Sequence, residues 1–373
     1  MPEARIGHGT RHDNNYDVLR LFAAVLVLMS HAFALLGRAE PAVPFTHDTL
    51  GFDGVLVFFA MSGILVATSW TSDPRPLAFA TKRALRILPG LFASCLVTAY
   101  VLGVLFTDLG IRTYLFSLGP VRYVATNTLM LTNYSLPGTF THNPSSTVNG
   151  SLGTLPIEVK AYVLLCAVGL LVAARSWRAR SALFVAVAVA VAVSYSTGVK
   201  SVETLTVLFA VFAGGALASR LQGRIGLTAP GCPERRPLNA AFLAALIAWV
   251  VSYHVPFPVH VGILAVSVPY VILFLGHRGL NWARRLTAGG DVSYGLYIYA
   301  FPVEQALVAL HPHLGWGTLV LSSLAVTYLL ALASWRLVER PSLRLKRLVS
   351  RRSPAAATPE GARVDEGAVS RQA

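Results

Sequence analysis

Apolar runs of about the length that crosses a bilayer recur along this chain from residue 17 to residue 337, and the charged residues collect in the gaps between them. A spanning helix needs roughly 20 mostly apolar residues. Ten intervals meet that requirement: 17–37, 51–70, 87–106, 156–174, 181–197, 202–219, 238–255, 259–276, 291–310 and 316–337. The fifth and sixth are short and nearly touch. Only 13% of the residues are charged and 54% are hydrophobic, against roughly 25% charged in a soluble domain. Most of the chain therefore cannot face water. The expected fold is an all-α membrane protein, a bundle of about ten transmembrane helices, and not the two or three soluble domains that 373 residues would otherwise suggest.

The formal net charge is +14. On a soluble protein such an excess would point to nucleic acid, but here the basic residues form neither a patch nor an amphipathic face, and no nucleic-acid partner is expected. They alternate by loop. Arg5, Arg11 and Arg20 stand before or at the start of the first run; Arg75, Lys82, Arg83 and Arg86 follow the second; Arg175, Arg178 and Arg180 follow the fourth; Arg220, Arg224, Arg235 and Arg236 follow the sixth; Arg278, Arg284 and Arg285 follow the eighth; and a dense group runs from Arg336 to the end. The intervening loops keep only Arg38, Arg112, Arg122 and Lys200. The positive-inside rule then places both termini in the cytoplasm. No small-residue cleavage site follows the first run, so it is expected to stay as an anchor. Cys95, Cys166 and Cys232 form no CxxC pair and suggest neither a disulfide framework nor a metal site. Residues 351–373, rich in Ala, Pro and Arg, are expected to form a disordered cytoplasmic tail. The long third loop, about 107–155, is expected outside the cell as a lid or acceptor-binding segment, with a passive connection as the alternative.

Ionisable side chains inside a membrane are costly, so each needs a reason. The runs hold few: His31 in the first, Glu158 and Lys160 in the fourth and Glu304 in the ninth. Arg20 and His31 are eleven residues apart. At about 100° per residue both project from one face, separated by ~16 Å along the axis. This predicts a channel with a cation at its cytoplasmic mouth and a titratable base inside. Asp17, three residues earlier, can cap the helix or orient the guanidinium. A buried histidine bonded to a neighbouring helix is the alternative for His31. Arg83 and Arg86 share one helix face at the same boundary. Their forked guanidiniums suit a phosphate-rich ligand, or simple anchoring at the inner surface.

These residues lie in a longer pattern. The stretch Asn14-Asn15-Tyr16-Asp17-Val18-Leu19-Arg20, with His31 ten intervening residues on, resembles the Arg-x10-His signature of acyltransferase family 3, the bacterial membrane O-acyltransferases. Gly54-Val55, Phe58-Phe59 and Ser62-Gly63-Ile64-Leu65 resemble the family's second-helix run. Arg83-Ala84-Leu85-Arg86 followed by Ile87-Leu88-Pro89 resembles its Arg-x-x-Arg segment. Ser151 to Glu158, Ser293 to Ile298 and Val338-Glu339-Arg340-Pro341 resemble its later motifs. Gly153 stands in place of the usual Trp, Ala300 in place of a frequent His, and Ile64 in place of a frequent Phe.

The resemblance implies a transmembrane acyltransferase domain over residues 1–350 in the bacterial cytoplasmic (inner) membrane, embedded in the lipid bilayer. It implies transfer from cytoplasmic acyl-CoA, acetyl-CoA foremost, to a hydroxyl of a cell-envelope or exported saccharide or glycolipid. On this reading Arg20, Arg83 and Arg86 hold the CoA phosphates. His31 acts as general base, with an unperturbed pKa of about 6.5, or carries a transient acyl group. Glu158 orients or charges His31, unless it pairs with Lys160 or Arg122. Asp53, Tyr299 and Glu304 line the acceptor entrance, and no metal is required. Two alternatives stand beside this one: a secondary-metabolite sugar such as that of a macrolide as acceptor, and, from another class, a secondary transporter. A transporter often repeats its broken helices in two halves, whereas Pro256, Pro258 and the Gly214-Gly215 pair are not symmetrically placed.

Overall fold

The computed structural model describes residues 15–44, 48–173, 200–221, 236–277, 287 and 289–346. The helices are α1 (Tyr16–Leu35), α2 (Leu50–Ser72), α3 (Pro76–Phe106), α4 (Ile111–Phe116), α5 (Gly119–Thr128), α6 (Leu155–Ala173), α7 (Lys200–Leu221), α8 (Arg236–Val251), α9 (Phe257–His277), α10 (Ser293–Leu310) and α11 (Trp316–Arg344). Extended pairing among the described residues is limited to one isolated bridge, Thr107 to Thr139. The fold is all-helical, as expected. Among the described residues, seven helices are long and apolar enough to cross a membrane. Every predicted interval other than 181–197 falls on a described helix; that interval, the N-terminal arm with Arg5 and Arg11, and the tail from 351 lie outside the described residues.

Two helices are less apolar or shorter than predicted. Ala240–His254 is shorter than the seven, and α10 carries Tyr294, Tyr297, Tyr299, Glu304 and Gln305. The reason is visible in the packing: most of α10 is buried between α1, α11 and the 143–154 segment. A helix surrounded by protein need not be apolar toward lipid. Outward faces elsewhere do carry apolar side chains, with Leu77 81%, Phe116 89% and Leu321 70% exposed.

Local sequence explains how the elements meet. Thr49 caps α2 by accepting from the Phe52 amide at 3.2 Å. α2 and α7 cross at backbone contact: a Cβ on Gly63 would strike the Phe212 carbonyl, and one on Gly215 the Ala60 carbonyl. Small residues let membrane helices approach this closely. In α10, Pro302 has no amide to give the carbonyl four residues back, that of Ile298. Ser94 of α3 donates to this carbonyl at 3.2 Å and Asn149 at 2.9 Å. One proline thus creates the acceptor that ties α3, α10 and the 143–154 segment together. Within α3, a π-turn at Thr98–Leu102 accompanies a similar tie, in which the Tyr114 hydroxyl of α4 donates to the Ala99 carbonyl at 2.7 Å.

The third loop is more ordered than a plain lid. It contains α4 and α5, and its later part is fastened to α10. Gln305 is fully buried and donates to the carbonyls of Ser145 (2.7 Å) and Thr147 (2.5 Å). It also receives Asn143 on its side-chain oxygen at 2.6 Å and on its own carbonyl at 3.0 Å.

Candidate active site

The first turns of α1, the middle of α3 and the start of α10 converge on a narrow chamber of about 90 Å³. Arg20, Arg83 and Arg86 all line it. The spacing of Arg83 and Arg86 places both on one face of α3, while Arg20 reaches in from α1. Arg20 Nη1 lies 3.2 Å from Asp17 Oδ1, the local orienting contact expected from the sequence. The same nitrogen lies 3.4 Å from Asp291 Oδ2, and Arg86 Nη2 pairs with that oxygen too. Ser293 donates to the other oxygen of Asp291 at 2.5 Å.

Arg83 differs from its neighbours. Its Nη2 makes one long contact, 3.5 Å, to Ser69 Oγ, and its buried Nε has no hydrogen-bond partner. No ion pair holds it among the described residues. A guanidinium N–H buried without an acceptor is costly, and it fits a site completed by an anion.

Glu158 also lines this chamber. It accepts from Ser62 of α2 and Tyr162 of α6. Its hydroxyl partners are therefore one turn on in its own helix and across at α2, while Lys160 and Arg122 are both exposed. The structure brings Glu158 to the arginines; its recorded hydrogen bonds go to neither His31 nor a cation.

His31 sits beyond the chamber on the side of α1 that faces α10. Its imidazole meets the Phe301 ring edge-on, with centroids 4.9 Å apart, and its buried Nδ1 has no hydrogen-bond partner. Arg20 reaches Asp291 at the head of α10 and His31 reaches Phe301 further along it, so both project toward one neighbouring helix, as the eleven-residue spacing predicts. Tyr297 lines the chamber and packs edge-on against Phe58 at 5.3 Å. Phe301 is one helical turn later. The end wall of the chamber and the wall beside His31 are thus successive turns of α10.

The other predicted residues are more dispersed. Glu304 is fully buried and neither carboxyl oxygen has a hydrogen-bond partner. It follows Phe301 by three residues, hence on a similar face. Tyr299 is buried in an apolar cluster with Leu296 and Ala331, away from the His31–Phe301 contact. Asp53 lies in the first turn of α2. Several residues were not singled out from sequence: Asp291, Ser62, Tyr162, Gln305 and Glu40. Glu40 accepts from Ser30, the neighbour of His31, at 2.6 Å, and its second oxygen is buried without a partner. A usable signal existed for Asp291, an acidic residue at the end of a run whose flanks on that side are otherwise basic. Ser62 entered only as part of the second-helix motif, with no role attached, and Tyr162 carries no mark in the sequence. Among the described residues, no cluster of His, Cys, Asp or Glu is arranged to hold a metal ion.

Comparison with known proteins adds an independent line. The family model described as an acyltransferase domain matches residues 13–336. Nodulation protein 10 of Rhizobium leguminosarum bv. viciae is 31% identical over 92% of this chain and 97% of its own length. The O-acetyl transferase of Shigella phage Sf6 is 28% identical over 91% of this chain and 97% of its own. No solved structure matches.

Proposed function

This chain belongs to the acyltransferase family whose domain model spans nearly all of it, and we propose that it moves an acyl group, acetyl foremost, from cytoplasmic acyl-CoA to a hydroxyl of a cell-envelope or exported saccharide. The observation that carries this reading is the convergence of Arg20, Arg83 and Arg86 on one chamber, with Arg83 lacking any protein anion. Forked, uncompensated guanidiniums recognise phosphate groups, and the donor is the substrate that brings them. The O-acetyl transferase relative supports acetyl as the group carried.

On this proposal the donor enters from the cytoplasmic side, where both termini also lie. Its phosphates rest on the arginines, and its pantetheine arm passes the Phe58–Tyr297 pair toward His31. Neutral His31 takes the proton of the acceptor hydroxyl as that oxygen attacks the thioester carbonyl. The new C–O bond forms, the C–S bond breaks, and the proton passes from the imidazole to the departing CoA sulfur. General-base help of this kind contributes roughly 10²–10⁴-fold. Glu158, held by Ser62 and Tyr162, helps to shape the chamber and sets the charge that His31 meets. Glu304 and Asp53 belong to the acceptor side, with Glu304 nearest the Phe301 turn, whereas Tyr299 packs against Leu296 and Ala331.

Reconstituted protein supplied with acetyl-CoA and a panel of saccharides tests the proposal. Acceptor-dependent release of free CoA thiol, with one acetyl mass added to the acceptor, is the expected result. Solute accumulation in the vesicles without thiol release would establish a transporter instead.

A further inference from the structure

Two arginines of the chamber share an acidic partner to which the reaction above gives no part. Asp291 precedes α10, and its side chain is only 11% exposed. Its Oδ2 receives Arg20 Nη1 from α1 and Arg86 Nη2 from α3, and its Oδ1 receives Ser293 Oγ. One carboxylate therefore joins three separate stretches of chain behind two arginines of the proposed anion seat. Each arginine gives Asp291 one terminal nitrogen. Nε and the other terminal nitrogen of each make no recorded bond to protein among the described residues.

We propose that Asp291 is a positioning residue, which fixes the Arg20 and Arg86 guanidiniums so that their remaining N–H groups face an incoming polyphosphate. The inference rests on reading the chamber as the seat of an anionic donor. Two physical effects of the carboxylate oppose each other. As a negative charge it weakens the attraction of the chamber for any anion. As a hydrogen-bond acceptor it holds two long, rotatable side chains in one arrangement, so that less freedom is lost when the anion arrives. The geometry favours the second effect, because Asp291 engages one edge of each guanidinium fork and leaves the other edge available. Arg83, with no such partner, supplies the uncompensated charge.

The opposed signs make the proposal testable. With acetyl-CoA as donor, Asp291→Asn is expected to raise the donor KM by about fivefold or more, with the acceptor KM and the turnover at saturation little changed. A carboxylate acting only as a competing charge gives the reverse, a lower donor KM, and an unchanged donor KM also overturns the proposal. Should Asp291→Asn fail to insert, Ser293→Ala decides the matter. It removes the hydroxyl that steadies Asp291 without exposing a charge, and a rise of about twofold in donor KM is expected, whereas no change overturns the assignment. Inorganic pyrophosphate serves as a second probe that needs no turnover. It should raise the melting temperature of the wild type and not that of Asp291→Asn. A wild type protected by pyrophosphate but silent in thiol release would refute the reaction and not the positioning. Thiol release with an unaltered Asp291→Asn would refute the positioning alone, and a wild type showing neither would refute both.

Discussion

The Phe301 ring stands edge-on to the His31 imidazole, their centroids 4.9 Å apart and their planes at 73°. The contact fixes the ring from one side while Nδ1 stays unbonded. A histidine whose ring is held by an apolar neighbour keeps its nitrogens for a visiting molecule. His31→Ala, purified as a folded, inserted protein, should lose about 10²–10⁴-fold in transfer rate with little change in donor affinity. Steady-state assay beside a melting measurement checks this, and near-normal turnover would remove His31 from the chemistry.

Arg83 should behave differently from an anchoring arginine. Charge-assisted hydrogen bonds contribute roughly 1.5–3 kcal/mol each. Arg83→Ala is therefore expected to weaken CoA binding by about 10–100-fold, and Arg83→Lys to restore only part of it, since an ammonium lacks the planar fork. Calorimetric titration with CoA distinguishes this from an anchor, whose removal would leave affinity untouched.

Glu304 offers a test in which stability and activity move in opposite directions. Both its oxygens are buried without partners, an arrangement that costs about 1–3 kcal/mol per unsatisfied group. Glu304→Leu should melt at a higher temperature than the wild type, yet transfer acyl groups more slowly with a raised acceptor KM. A variant that is more stable and fully active would return Glu304 to the packing of α10.

The α2–α7 crossing predicts a contrast between glycines. Gly63→Leu places a side chain against the Phe212 carbonyl, whereas a Cβ at Gly262 meets nothing within 4 Å. Overpacking costs typically about 1–3 kcal/mol, so Gly63→Leu should lower the melting temperature in detergent while Gly262→Leu leaves it nearly unchanged. Equal effects at the two positions would contradict the backbone contact.

Asp73, in the turn between α2 and α3, predicts a pH dependence. It accepts from Arg75 at 2.6 and 2.9 Å and from Lys82 at 2.6 Å. The bonds from Arg75 first, and then from Lys82, hold its carboxyl well below the usual carboxylate range. The folded value is depressed, so the stabilisation is complete above the unfolded value of about 3.9 and declines as the pH falls from there toward the folded one. Melting curves of the wild type and Asp73→Asn should differ at neutral pH and converge in strong acid; a gap independent of pH would refute the ion pairs.

Much of the architecture was legible in the sequence because lipid imposes a one-dimensional code of long apolar runs with charges between them. The pairing of Arg20 with His31 was legible for a similar reason, since helical periodicity alone sets which side chains share a face. Long-range partners were not legible. Glu158 meets Ser62 across 96 residues, and Arg86 meets Asp291 across 205; neither distance leaves a periodic trace. The π-turn in α3 and the carbonyl freed by Pro302 depend on which neighbour arrives to complete them. The sequence reads α10 as an ordinary span, and only its encirclement by other elements shows how its polar residues are accommodated.

The four hydrogen bonds joining Gln305 to Asn143, Ser145 and Thr147 make the C-terminal half of α10 and that stretch of loop a single rigid block. If acceptors reach His31 past this block, as the proposed reaction has them do, they meet a fixed edge and not a swinging door. Acceptor selection there then rests on static shape, and loosening the loop would cost rigidity without widening the range of hydroxyl compounds admitted.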